Sequence, residues 1–298
     1  AAAIFPMIAR GRMLGAISFL HVGSDATYRR GQLAVLEDLT GRAALAFDNA
    51  RLYAERARVA HTLRRSLMPS ELPAIEGLDL ASFFQPMGAG NEVGGDFYDV
   101  FGDGSSCWLV VGDVCGKGAE AAVLTGFLRH TTAAYAREGV GPASVLARVN
   151  QAMLDQDFAG RFATAILARV GFRDGGAEVT IAVAGHPLAL LARANGETEE
   201  FGECGTLLGV FANLTITERS TLLRAGDALM LYTDGLSDAH EPERTLTAQE
   251  MLGQLSRTAP SLAQDAIGAV LELVDLERGA RDDIAILAAR VRATSDAQ

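Results

Sequence analysis

Nine short apolar segments between residues 78 and 291 are predicted to be β-strands, and several follow one another with no helix-length segment between them. They are 78–85, 93–101, 107–114, 162–170, 177–184, 187–193, 216–223, 227–233 and 283–291. Parallel neighbours need a crossover of a dozen or more residues, so this order predicts largely antiparallel sheets. Four helical segments lie between the runs of strands, at 118–137, 142–155, 247–257 and 261–275. We therefore predict an α+β fold in which sheets are flanked by helices.

The N-terminal part has a different pattern. Residues 1–27 alternate like strands joined by a turn at Gly11, and a helical pattern then extends over 28–68. Apolar residues there are spaced alternately by three and four, which is typical of a coiled-coil seam. The seam comprises Leu36, Leu39, Ala43, Ala46, Ala50, Tyr53, Ala57 and Ala60. The helix is predicted to be a linker that forms a dimer, the alternative being one amphipathic helix packed on its own domain. The turn-rich PSELPAIEGL that follows marks a domain boundary.

Composition excludes several classes of protein. The chain has 298 residues and a net charge of −11, with no cluster of Lys and Arg of the kind that a nucleic-acid surface needs. No stretch reaches the roughly 18 apolar residues of a transmembrane helix. Three cysteines without CxxC spacing argue against a disulfide framework and favour a reducing, cytoplasmic location. The chain lacks an initiator Met and begins in mid-pattern, so we expect it to be part of a longer protein.

Four of the predicted strands carry an aspartate at or near one end. These residues are Asp96, Asp113, Asp234 and Asp282, the last followed by Asp283, and glycine stands next to three of them. A single such aspartate is common in turns. Four that converge at one edge would repel one another, and divalent cations would relieve the repulsion. Oxygen ligands suit Mg²⁺ or Mn²⁺, and a pair of such ions supports hydrolysis at phosphorus.

Five motifs in order resemble the stage II sporulation protein E branch of the metal-dependent (PPM) protein phosphatases: EVGGDFYDVF, VGDVCGKGAEAA, AGHPLALL, LYTDGLSDA and RDDIAIL. The match covers roughly residues 70–293. It implies two stacked antiparallel sheets flanked by helices, and hydrolysis of phosphoserine or phosphothreonine by a water held between two metal ions. Residues 1–48 resemble the C-terminal part of a GAF sensor domain, through ARGRMLGAISF and AALAFDNARLYAE.

The resemblance also implies roles for individual residues. Asp96, Asp113, Asp234 and Asp282 match metal ligands, with Asp113 bridging the two ions, and the Val114 backbone carbonyl matches a further ligand. Gly95 and Asp283 match positions that support the ligands without binding metal. No side chain is expected to act as the nucleophile.

Other polar residues have competing interpretations. Lys117 opens the helix 118–137 and is a candidate for substrate binding or for a conformational switch, or else an ordinary solvated residue. His186 is a candidate general acid, although a turn-supporting role is favoured. Arg161 and Arg281 could bind a phosphate, since guanidinium suits phosphate oxygens.

We predict a cytoplasmic Mn²⁺- or Mg²⁺-dependent serine/threonine phosphatase. The resemblance implies that its substrate is a phosphorylated anti-sigma-factor antagonist, a small STAS-type protein. Neither a nucleic acid nor a membrane is expected as a partner. Two alternatives remain: a non-catalytic dimeric scaffold, and a nucleotidyl cyclase, which would need its metal carboxylates within one compact palm-like domain.

Overall fold

The computed structural model describes residues 1–298 except 24–26, 70, 88–93, 104–105, 157, 159, 174, 241, 243, 277–281 and 293–298. The chain divides into two compact units, residues 1–59 and 60–298. None of the described helices combines the length and the apolar character needed to cross a bilayer.

The first unit contains a β-hairpin and most of a long helix. Strands β1 (Ala2–Ala9) and β2 (Arg12–Leu20) pair antiparallel. Their two-residue turn has positive φ at Arg10 and Gly11, as tight hairpin turns require. Helix α1 (Arg30–Leu67) follows. The two strands, their turn and the helix lie where the sequence predicts them, whereas the GAF assignment stays a prediction.

Helix α1 buries one face within its own unit. Thr40, Ala44 and Asp48 are buried, and Asp48 pairs with Arg10 of the hairpin turn at 3.7 Å. The predicted seam lies partly on another face, because Leu39 and Tyr53 are 52% and 63% exposed. The amphipathic alternative therefore accounts for one face of the helix and leaves this part of the seam free.

The second unit contains eleven strands and five helices among its described residues. Its strands are β3 (Leu78–Gln85), β4 (Phe97–Asp103), β5 (Ser106–Val114), β6 (Ala163–Arg173), β7 (Gly176–Ala184), β8 (Ala189–Ala192), β9 (Thr198–Phe201), β10 (Cys204–Gly205), β11 (Glu218–Leu223), β12 (Ala228–Tyr232) and β13 (Ile284–Val291). Its helices are α2 (Ala119–Ala136), α3 (Pro142–Gln156), α4 (Asp234–Ser237), α5 (Ala248–Thr258) and α6 (Ala263–Leu271).

These elements form four layers. One sheet has the order β10-β7-β6-β5-β4, with β11 also paired to β7, and the other has the order β3-β13-β12-β8-β9. Alternation along β5 shows how they stack: Leu109 and Val111 face a core shared by the two sheets, whereas Trp108 and Val110 face the core beneath α2 and α3. Helices α5 and α6 cover the outer face of the second sheet.

The predicted α+β sandwich of antiparallel sheets is confirmed, and among the strands that the structure describes only the short β10 pairs in parallel. The candidate aspartates adjoin strands of both sheets, which fits poorly with the compact palm-like domain that the cyclase alternative needs. Strands β9 and β10 and helix α4 were not predicted. The strand predicted over 93–101 begins at Phe97 in the described part of the chain, since glycines at 94 and 95 weaken a strand. Asp96 therefore precedes the strand instead of lying within it.

Candidate metal centre

Asp113 and Val114 end strand β5 and lie across from Gly95. The Val114 amide donates to the Gly95 carbonyl at 3.2 Å. A β-carbon at position 95 would lie 2.1 Å from the Val114 carbonyl oxygen and 2.5 Å from Oδ1 of Asp113. These two oxygens thus face the same stretch of backbone, and only glycine leaves room for both.

Asp96 is buried beside Asp113. Its Oδ2 accepts a hydrogen bond from the Thr233 hydroxyl at 2.6 Å. The same hydroxyl accepts from the Ala285 amide at 2.9 Å, so it joins the end of β12 to β13. Thr233 is fully buried. Sequence reasoning missed it, although it directly precedes Asp234 in the motif LYTDG.

The remaining carboxylates come from the second sheet. Tyr232 of β12 pairs with Ile286 of β13, so Asp234, just after β12, meets Asp282 and Asp283, just before β13. Asp234 follows the end of β12 by two residues, as predicted, and it is also the first residue of the short helix α4. The chain turns there.

Asp283 is held tightly in place. Its Oδ1 accepts from the Met87 amide at 2.7 Å. A β-carbon at Gly94 would lie 1.5 Å from Oδ2 of Asp283. One at Gly235 would lie 1.8 Å from the backbone carbonyl oxygen of Asp283. Asp283 is buried, whereas Asp282 is exposed. The packing agrees with a supporting role for Asp283 and leaves the Asp282 carboxylate accessible.

The carboxylates act on one another electrostatically. Burial, and then the charge of Asp113, raise the pKa of Asp96 well above its usual range. Burial and the charge of Asp234 raise the pKa of Asp113 to about 6. Burial and the charge of Asp282 raise the pKa of Asp234. Aspartates that are far apart in sequence therefore meet in one acidic cluster.

The donors of this cluster fit hard divalent cations. Every candidate ligand is an oxygen, the class that Mg²⁺ and Mn²⁺ prefer. The raised pKa values show that the cluster gains from positive charge, whether a proton or a metal ion supplies it. In the described part of the chain, however, no three His, Cys, Asp or Glu side chains lie close enough to surround one ion.

Two basic residues flank the cluster in different ways. The Lys117 ammonium lies 3.8 Å from Oδ1 of Asp282 and donates to the Met87 sulfur at 2.9 Å. Arg161 donates to the Cys115 carbonyl at 3.1 Å and pairs with Glu120, so it braces the loop that follows Asp113. Phosphate binding by Arg161 stays a prediction. Arg281 lies outside the described residues.

His186 is buried, and its Nδ1 lies 2.7 Å from the Thr164 hydroxyl. Burial lowers the pKa of His186 to about 3, against an opposing effect of the Tyr232 backbone. Near neutral pH such a histidine is neutral, and the N–H that it keeps is far too weakly acidic to serve as a general acid. The geometry favours the structural interpretation of this residue.

The sandwich has the fold of PP2C-type phosphatase domains. The chain belongs to the family described as Stage II sporulation protein E (SpoIIE), whose sequence profile matches residues 103–292.

The following three relatives each share less than 30% sequence identity with this chain. Protein IcfG of Synechocystis is 26% identical over 68% of this chain and 35% of its own length. Phosphoserine phosphatase RsbU of Bacillus subtilis is 22% identical over 78% of this chain and 69% of its own. The crystal structure of the RsbU and RsbW domains of Rv1364c from Mycobacterium tuberculosis is 29% identical, with a TM-score of 0.65 over 76% of this chain and 63% of that one. The chain thus spans about a third of the length of IcfG.

Proposed function

We propose that this chain is a protein serine/threonine phosphatase that depends on two divalent cations, Mn²⁺ or Mg²⁺. One observation carries the proposal: aspartates from strand ends of both sheets of a PP2C-type sandwich lie close enough to raise one another's pKa. Family membership supports it.

The residues have distinct roles in this proposal. Asp96, Asp113, Asp234, Asp282 and the Val114 carbonyl would hold the cations, with Asp113 shared between them. When bound, two such cations supply an activated water and a clamp for phosphoryl oxygens.

The surrounding residues position these ligands. Thr233 orients the Asp96 carboxylate, and Gly95 lets the chain approach Asp113 and Val114. Asp283 anchors the Met87 backbone beside the cluster. Lys117, whose ammonium lies 3.8 Å from the Asp282 carboxylate, would bind oxygens of the substrate phosphate in this proposal.

We infer that the substrate is a serine-phosphorylated protein of the STAS type, an anti-sigma-factor antagonist. The relative RsbU is a phosphoserine phosphatase, which supports phosphoserine as the group that is hydrolysed. The joining of RsbU and RsbW domains in the Mycobacterium tuberculosis protein supports a place in regulation through protein partners.

The N-terminal part is assigned by sequence pattern. Residues 1–48 are the end of a GAF sensor domain in this proposal, and 28–68 form a linker helix through which two copies pair. Exposed Leu39 and Tyr53 support the pairing. All three cysteines are free thiols, which agrees with a cytoplasmic location.

The test is phosphate release from a serine-phosphorylated STAS-type protein, with Mn²⁺ and with a chelator, for wild type and Asp282→Asn. We expect release that requires the metal and that the substitution abolishes. Release that persists in the chelator would contradict the two-metal assignment.

A non-catalytic scaffold is the second candidate. The observation that favours it is that no three acidic or imidazole side chains of the described residues close around one point. Phosphate release separates the two candidates: a scaffold would release no phosphate from either the protein or p-nitrophenyl phosphate, whether or not calorimetry shows that it binds Mn²⁺.

A further inference from the structure

Between β10 and β11 the chain forms a compact loop, Thr206–Thr215. The two ends are joined, since the Thr206 amide donates to the Thr215 carbonyl at 3.0 Å and the Thr215 amide donates to the Thr206 hydroxyl at 3.2 Å. Compact loops with close ends are frequently functional.

Helix α3 fixes this loop from the inside. Asn150 is 1% exposed, and its amide nitrogen donates to the Phe211 carbonyl at 2.9 Å. Its amide oxygen accepts from Gly209 at 2.8 Å. Gly209 has φ of 86°, and a β-carbon there would lie 2.6 Å from the methyl of Met153. A buried polar side chain is thus committed to holding one loop conformation.

The fixed loop presents apolar side chains to solvent. Val210 and Phe211 are 46% and 53% exposed, whereas Leu208 of the same loop is buried. Adjacent exposed apolar residues on a rigid loop are typical of a binding surface, because burial in a partner is what recovers their hydrophobic free energy.

The loop is joined through β6 to Val114, one of the candidate ligands. Val114 pairs with Ala163 between β5 and β6, and Ala163 forms a bridge to Leu208. Neighbouring strands are about 4.8 Å apart, so Leu208 lies roughly 10 Å from Val114. Phe211 follows three residues later. We therefore expect the surface of a phosphoprotein around a phosphoserine that reaches Asp113 to lie near this loop.

We propose that Val210 and Phe211 dock the phosphorylated protein substrate by receiving apolar side chains that flank its phosphoserine. This inference rests on the proposed phosphatase function and names a surface that selects its substrate. The pair acts through binding and touches no reacting atom.

The test compares a protein substrate with a small one. Steady-state kinetics with Mn²⁺ are measured on a serine-phosphorylated STAS-type protein and on p-nitrophenyl phosphate, for wild type, Phe211→Ala and Val210→Ala/Phe211→Ala. Leu222→Ala is the matched control, because Leu222 is 42% exposed and pairs with Glu178 at the far end of the same sheet.

For the phosphoprotein we expect the KM of Phe211→Ala to rise on the order of tenfold, as when an aromatic anchor is truncated, with little change in kcat. Hydrolysis of p-nitrophenyl phosphate should stay within about twofold of wild type, because only its phosphate enters the site. Leu222→Ala should match wild type on both substrates.

Four results would overturn the inference. An unchanged KM for the phosphoprotein would show that the pair does not dock it, and equal losses on both substrates would show a structural role. A change of oligomeric state in light scattering, with normal kinetics, would identify a second copy of the chain as the occupant. A wild type that hydrolyses neither substrate would refute the phosphatase proposal itself, and the docking with it.

Discussion

Gly95 packs directly against the carbonyl group of Val114, with no room for a side chain between them. The nearest obstructing atom is the backbone carbonyl oxygen of Val114, which cannot move aside as the end of a flexible side chain would.

Gly95→Ala should therefore displace the candidate ligands. We expect the free energy of unfolding to fall by about 1–3 kcal/mol, the usual cost of overpacking. Mn²⁺ affinity, measured by calorimetry, should fall with it. Gly171→Ala is the control, since a β-carbon at Gly171 meets nothing within 4 Å. Full Mn²⁺ affinity in Gly95→Ala would show that Val114 and Asp113 are not metal ligands.

Thr233→Val should weaken the site by a different route. The substitution keeps the shape but leaves the Asp96 carboxylate without this donor and the Ala285 amide without its acceptor. Urea unfolding should show a loss of about 1–3 kcal/mol. Thr233→Ser retains the hydroxyl and should stay near wild type; a loss equal to that of the valine variant would mean that packing, not hydrogen bonding, matters here.

Metal binding should depend on pH through Asp113. A carboxyl with a pKa of about 6 must lose its proton before it binds a cation. The Kd for Mn²⁺ should therefore increase on the order of tenfold per pH unit below about 6. Calorimetry in two buffers of different ionisation enthalpy should detect proton release at pH 5.5. Binding without proton release would contradict the acidic cluster as the site.

His186 should make the protein less stable in acid. Its pKa is near 6.5 when unfolded and about 3 when folded, so the unfolded chain takes up the proton first as the pH falls. This contribution to the free energy of unfolding is present above pH 6.5 and is lost as the pH falls toward 3. The loss between pH 6.5 and pH 5 is about 2 kcal/mol. Urea unfolding of wild type and His186→Gln at both pH values should show a smaller loss in the variant. Equal losses of stability in wild type and His186→Gln would show that other groups cause the acid sensitivity.

The linker seam can be tested within helix α1. Leu39→Glu and Tyr53→Glu place charges on its exposed positions and should give monomers in light scattering, because a desolvated charge opposes pairing. Leu45→Glu is the matched control, because Leu45 is 50% exposed on another face of the helix, and it should leave the dimer intact. A dimer that survives both seam variants would contradict pairing through this surface.

Local pattern was sufficient for much of the fold. Strand β3 occupies 78–85 as predicted, and α3 occupies Pro142–Gln156 where 142–155 was predicted. In such segments the apolar periodicity and the turn residues agree, so chain-local information decides the element. Strand β9, with the sequence TEEF, lacks an apolar pattern, and its pairing with β8 supplies what the pattern does not.

The sequence by itself determined the residue types of the candidate site: aspartates at the ends of apolar segments, with glycines beside them. Only the tertiary structure decided what supports them, namely Thr233 beneath Asp96, Met87 on Asp283, and Asn150 beneath the 206–215 loop. These partners are separated by 137, 196 and 61 positions along the chain. Local patterns arise from neighbouring residues, whereas contacts at such separations exist only once the two sheets have packed.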